Sequence, residues 1–337
     1  MKNALTFGIP FSGFCGTTFI NCFASTYLFL EGMPGEEQEN IFMLFDTMCG
    51  RSALRCRFDG EPTEMQNMIC ETGFYDGGAD GNINFLFGFA GYEYSKITAE
   101  FRATVAASID AGRPVIAKVK AGDDRFRVVT GYEGGALLSP EYKNAQRPPE
   151  RAPAYEELEA LYVIGEKTKP RYTLRDGLRR IEKVMEYNSR ASLWDEYIGQ
   201  FKYWGGGLEA QSDEEVRRRF ERAEETMWHT FNCHNFAEAF RHCVYEEMND
   251  PAFTECWANI SFLYDDTHTR AWSVIHLEHS IDYSKRPQWG VCEIVPLVIE
   301  KMKRNDAGVL AEIRRAICIL HQKRECGASP VLMRTAV

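Results

Sequence analysis

The sequence predicts an α+β fold. A mixed N-terminal domain, about residues 1–165, is followed by an α-helical domain, about 170–327, and a short tail, 328–337. Three observations predict it. Residues 114–138 alternate side chains in short runs separated by glycine turns, the pattern of helices packed beside an antiparallel sheet of hairpins. Helical periodicity precedes those runs and takes over almost completely from Tyr172 onward. Between the two, Arg147-Pro148-Pro149-Glu150-Arg151-Ala152-Pro153 offers proline and charge with little apolar surface, and reads as a linker.

Each element follows from local chemistry. Thr17 to Glu31 is expected as a helix, stopped by Gly32 and Pro34. A second helix, Glu36 to about Cys49, is acidic in its first turn, as the macrodipole favours. Residues 57–95 are rich in glycine and aromatics and support no assignment. Ile97 to Asp110 is expected as an amphipathic helix, ended by Gly112 and Pro114. Pro114 to Lys120 sets Val115, Ala117 and Val119 against Ile116, Lys118 and Lys120, which suits a strand. After the turn Gly122-Asp123-Asp124, Phe126 to Tyr132 is a second strand and Ala136 to Leu138 a third. A short segment, Tyr155 to Ile164, follows the linker. Ser212 and Glu215 form a capping box that opens a long helix through about Met248. Asn305 or Asp306 is expected to cap a last helix with Val309, Ile313, Ala316, Ile317 and Leu320 on its apolar face.

Composition narrows the function classes. The chain has 337 residues, enough for two domains, and a net charge of −10 spread over both halves. No basic arm or stripe is present, so neither nucleic acid nor an anionic membrane is expected as a partner. Phe19 to Leu30, the most apolar run, is interrupted by Asn21, Ser25 and Thr26 and is too short to cross a bilayer. Eleven cysteines at irregular spacings, with no Cys-x-x-Cys and no signal-peptide pattern, read as reduced thiols of a cytoplasmic protein. The oligomeric state is not set by the sequence, and a homo-oligomer stays open.

The chemically suggestive stretch is Ser12-Gly13-Phe14-Cys15-Gly16-Thr17-Thr18. It places a cysteine at the start of a helix, where partial positive charge and unpaired N–H groups favour a thiolate and can hold an oxyanion. A buried packing thiol is the commoner explanation of such a residue. A second stretch adds to it: Gly112-Arg113-Pro114-Val115-Ile116, then Arg125-Phe126-Arg127-Val128-Val129-Thr130-Gly131-Tyr132, then Ser139-Pro140. In that order, these motifs resemble peptidase C39-like, papain-like cysteine hydrolases; the cysteine helix followed by Glu31-Gly32 through Phe45 is similar to the start of the N-terminal domain of butirosin-biosynthesis-type acyltransferases. The resemblance covers about the first 165 residues.

It implies a papain-like fold with Cys15 as nucleophile and Gly16 beside it. The same alignment puts Arg125 at the family's histidine and Ser139 at its aspartate, and finds no counterpart of its oxyanion glutamine. A guanidinium stays protonated and is no general base, but it can stabilise a thiolate or bind a carboxylate as a fork of donors. The first 228 residues contain no histidine, so a histidine partner for Cys15 must come from later in the chain.

The later candidates are weaker. His229 and Cys233 share a helix face, with His234, His242 and Cys243 nearby, but no closed tetrahedral zinc set is visible. Asp265-Asp266-Thr267-His268 and His276-Leu277-Glu278-His279 offer bases or ligands, against the commoner structural role of single histidines. Asp76 to Asn82 lacks the ligand spacing of a calcium loop and reads as a glycine turn. The aromatics Trp194, Tyr197, Phe201, Tyr203 and Trp204 either line a cleft or pack the helical half. No phosphate loop, dinucleotide fingerprint or nucleophile-elbow serine is present, and neither a cofactor nor a metal is expected.

Three functions are therefore carried forward. One is a thiol hydrolase or acyltransferase using Cys15, with a base from the pool His229, His234, His268, His276 and His279. One is a catalytically inactive pseudoenzyme that binds a small molecule or peptide with an acidic or acyl group through Arg125. The third, ranked behind both, is a metal-dependent activity on the helical half.

Overall fold

The computed structural model describes residues 2–9, 18–58, 81–120, 126–140, 152–204, 212–230, 233, 249–280 and 289–325. The chain forms two compact units. Unit 1 comprises Met1–Phe45 and Glu71–Thr173, and unit 2 comprises Asp46–Cys70 and Leu174–Val337. The sequence reading placed residues 46–70 with the first domain, whereas the contacts group them with the helical unit.

Unit 1 is mixed α/β. Its elements are β1 (Lys2–Ala4), α1 (Phe19–Glu31), α2 (Gln38–Met48, whose last three residues fall in unit 2), α3 (Gly81–Ala90), β2 (Tyr92–Ile97), α4 (Phe101–Asp110), β3 (Val115–Val119), β4 (Phe126–Val129), β5 (Gly131–Glu133), β6 (Ala136–Leu138) and β7 (Leu158–Lys167). One sheet has the order β2-β7-β3-β4 and the other β1-β5-β6, all pairs antiparallel. The alternation read in β3 is real, but both faces are covered, and all five residues are buried. Val115, Ala117 and Val119 pack with Val105 and Ile109 of α4. On the other side the Phe19 ring of α1 meets Phe126 and Tyr162. Lys118 keeps its ammonium paired with Glu159 at 2.8 Å, which lets a central strand carry a charge.

Two expectations are corrected, and one unassigned segment gains its structure. Ile97 closes β2 instead of opening a helix; α4 starts only at Phe101, because Glu100 holds a left-handed φ of 54° that no helix can run through. Phe126 to Tyr132 is two strands, not one: the chain breaks at Thr130 and passes from the first sheet into the second. Tyr155 to Ile164 is mostly β7, a central strand between β2 and β3. The break at Thr130 also brings β1 tightly onto Gly131. A Cβ there would lie 2.7 Å from the Asn3 carbonyl oxygen and 2.9 Å from the Ala4 Cα. Gly131→Val is expected to cost about 1–3 kcal/mol through this backbone clash. Amide hydrogen exchange at Asn3 and Ala4 as fast as in unfolded peptide would accompany it, and unchanged protection would refute the account.

Unit 2 is helical beyond residue 174: α5 (Leu174–Arg190), α6 (Leu193–Trp204), α7 (Asp213–Thr230), α8 (Pro251–Ser280) and α9 (Trp289–Glu325). Ser212 caps α7 by accepting from the Glu215 N–H at 3.2 Å, as its sequence signature indicates. The expected continuation to Met248 lies outside the described residues, apart from Cys233. Asn305 and Asp306 do not cap a helix. They lie inside α9, which begins sixteen residues before Asn305, and both are buried. Polar residues ahead of an apolar run look alike whether they cap a helix or serve its interior.

Asp306 has a clear interior role. Its carboxylate accepts from Arg55 Nε at 3.2 Å and Nη2 at 2.8 Å, and from Trp194 Nε1 at 2.7 Å. Arg55 is fully buried, and its remaining donor, Nη1, reaches the Leu54 carbonyl at 2.9 Å and the Ser52 carbonyl at 3.3 Å. Its guanidinium lies 5.6 Å from the Trp194 ring centroid and 5.9 Å from that of Tyr264. Burial is the largest influence and works against the charged form, but the charge of Asp306, its hydrogen bonds and the nearby Tyr264 and Cys233 together outweigh it, so the Arg55 pKa ends above its ordinary value. Two more bonds seat the same segment: Asn188 Nδ2 donates to the Ala53 carbonyl at 2.7 Å, and the Phe58 N–H donates to Glu196 at 3.1 Å. Trp194 and Tyr197 are core residues of this unit, packed with Phe58, Phe220 and Met227. Among the described residues no helix is long and apolar enough to cross a membrane.

Candidate functional site

Of the four residues singled out from the sequence, Cys15, Gly16 and Arg125 lie outside the described residues. The structure does describe what flanks them. Thr18 is the N-cap of α1, extended at φ −75° and ψ 159°, and its hydroxyl accepts from the Asn21 N–H at 3.3 Å. The helix therefore starts at Phe19, two residues later than the sequence suggests and four after position 15. Phe19, its first residue, meets Phe126 edge-on at 5.4 Å and Tyr162 at 5.3 Å between ring centroids. Phe126 is the first residue of β4 and follows Arg125 directly. The residue that opens α1 thus meets the residue that opens β4. Gly32 ends α1 in the left-handed conformation, φ 63°, donating to the Leu28 and Phe29 carbonyls.

Ser139 is described. It follows β6, whose register sets Leu138 opposite Gly131, and the Thr130 N–H donates to the Leu138 carbonyl at 2.9 Å. Ser139 is therefore anchored near Thr130, at the end of β4 away from Phe126. Its hydroxyl is buried with no hydrogen-bond partner among the described residues. A hydroxyl desolvated without a partner costs about 1–3 kcal/mol. Ser139→Ala is accordingly expected to leave unit 1 as stable or more stable in urea denaturation, and a clear loss of stability would mean that the hydroxyl is satisfied after all.

The later candidates separate. Cys233 is fully buried, with its Sγ 3.5 Å from the Tyr264 carbonyl oxygen, and burial pushes its thiol up to about 12. At neutral pH it is a protonated core thiol, neither nucleophile nor ligand. Asp266 is taken up by structure: Arg270 donates to it at 2.8 and 3.0 Å, and Asn305 Nδ2 at 2.7 Å. The Arg270 fork chiefly, with Asn305 helping, holds its carboxyl below the usual carboxylate range. The stability it adds is present above the unfolded carboxylate's pKa and is lost as pH falls through the depressed value. His276 is exposed and stacks on Trp272, ring centroids 4.9 Å apart and planes 11° from parallel. The side chains of His229 and His279, and all of His234, His242, Cys243 and residues 76–80, lie outside the described residues. Among the described residues no group of three His, Cys, Asp or Glu side chains is placed to hold a metal ion.

The residues that sequence reasoning missed are Arg55, Trp194 and Asp306 acting together. The one local signal was a lone arginine between Leu54 and Cys56. No protein-family model, curated protein or solved structure matches the chain.

Proposed function

We propose that unit 1 is a papain-like domain carrying a thiol site at Cys15, which acts as a hydrolase or acyltransferase on a small molecule or peptide with an acyl group. The observation that supports this reading is the contact of Phe19 with Phe126, because it sets the first residue of α1 beside the first residue of β4. A thiolate at Cys15 would attack an acyl carbonyl, and N–H groups at the start of α1 would receive the negative charge. Arg125 would stabilise the thiolate or hold an acidic group of the ligand, but it would move no proton. A histidine base would have to come from residue 229 or beyond.

That last requirement favours a second reading, a pseudoenzyme that binds an acidic ligand through Arg125 without turning it over. Alkylation by iodoacetamide across a pH series separates the two. Site-resolved mass spectrometry reads Cys15, with Cys15→Ser as control. The enzyme reading expects an apparent pKa well below the ordinary thiol value of about 8.5, raised by Arg125→Gln. A rate that tracks an ordinary thiol would leave the binding reading. Among the described cysteines Cys318 is exposed and is read as a second accessible thiol in the same sample, while Cys22, Cys49, Cys56, Cys233 and Cys256 are buried.

A further inference from the structure

α8 and α9 run antiparallel. Asn305 meets Thr267, a Cβ on Gly308 would meet Leu263, Asn259 donates to Glu312, and Arg315 pairs with Glu255. The buried seam of α9 reads Ile299, Met302, Asp306, Val309, Ile313 and Ala316, in alternating steps of three and four. That of α8 reads Trp257, Ile260, Tyr264, Thr267, Ala271 and Val274, with the same steps. Each is a seven-residue repeat of buried positions, the spacing that a coiled-coil seam uses. A strictly repeating apolar seam cannot tell one alignment from another displaced by one repeat, about 10.5 Å along the axis. The exposed pairs along its rim are too weak to decide.

One layer breaks the repeat. Asp306 occupies a seam position on α9 and Thr267 one on α8. Asp306 binds Arg55 and Trp194, while Asn305 Nδ2 donates to Asp266 at 2.7 Å, to Thr267 Oγ1 at 3.1 Å and to the Leu263 carbonyl at 3.3 Å. A displacement by one repeat would set Asp306 among apolar side chains and leave buried Arg55 without its carboxylate.

We propose that this polar layer is a register lock: it selects one lengthwise alignment of α8, α9 and residues 51–58, and supplies uniqueness rather than stability. A buried ion pair replaced whole by apolar residues often costs nothing, and a single polar seam residue can set coiled-coil register.

The test is Arg55→Met with Asp306→Leu in the full chain, on a Cys318→Ser background. Two engineered cysteine pairs read the alignment. Asn259→Cys with Glu312→Cys reports the native register, and Asn259→Cys with Ile319→Cys reports a displacement of one repeat. With the layer intact, only the first pair cross-links. In the double variant both pairs are expected to cross-link, at a denaturation midpoint no lower than that of the parent. Cross-linking of the native pair alone would overturn the proposal. If the double variant does not fold, Asn305→Leu with Thr267→Val removes the other half of the layer and is read by the same two pairs.

Discussion

Asp306→Ala is expected to destabilise the helical unit by about 3–5 kcal/mol, the usual cost of leaving a buried charge without its partner. The side chain removed accepts three hydrogen bonds, two from Arg55 and one from Trp194. Arg55 has no exposed surface through which water could replace them. Its bonds to the Leu54 and Ser52 carbonyls satisfy Nη1 but bring no countercharge. Urea denaturation followed by tryptophan fluorescence measures the loss, since Trp194 belongs to the same cluster. Asp306→Asn keeps the volume and one acceptor oxygen and should fall between the two. A change under about 1 kcal/mol for Asp306→Ala, the range of an exposed pair, would show that the guanidinium finds other partners.

Phe19→Ala should cost unit 1 about as much, some 3–5 kcal/mol for a buried phenylalanine. The ring touches four others, those of Phe23, Phe87, Phe126 and Tyr162, all within 6.2 Å between centroids. Phe19→Leu keeps most of the volume and should cost less than about 1.5 kcal/mol. The pair of variants also bears on the proposed thiol site. If the start of α1 must be held against β4 to activate Cys15, its apparent pKa should rise toward the ordinary thiol value in Phe19→Ala and stay low in Phe19→Leu. Equal alkylation profiles in both would detach Cys15 reactivity from this anchor.

Much of the fold was legible because local chemistry and the final environment agree. Gly32 stops α1 in the conformation that glycine favours, Ser212 caps α7, and the alternation around Val115 marks a strand. The failures have physical causes. α3 is buried on nearly all sides, so Gly81 to Ala90 shows no amphipathic period. β7 is covered over most of its length and reads as a continuous apolar run, which periodicity cannot assign. The strand break at Thr130 depends on a second sheet contributed partly by β1, far away in sequence. The candidate site was legible only as local motifs. Pairings such as Arg55 with Asp306, separated by 251 positions, have no local signature at all.

The interleaving of the two units along the chain has a practical consequence for dissection. The chain passes between them after Phe45, after Cys70 and after Thr173. A single scissile point near residue 170 therefore does not yield two self-sufficient fragments. Expression of 174–337 alone would strip Asp306 and Trp194 of Arg55, and the Asn188 amide of the Ala53 carbonyl. The other piece, 1–173, would retain that arginine with nowhere to bury it. Modular swapping or truncation of this protein has to carry residues 46–58 with the helices, as a separate peptide supplied in trans or through a permuted chain.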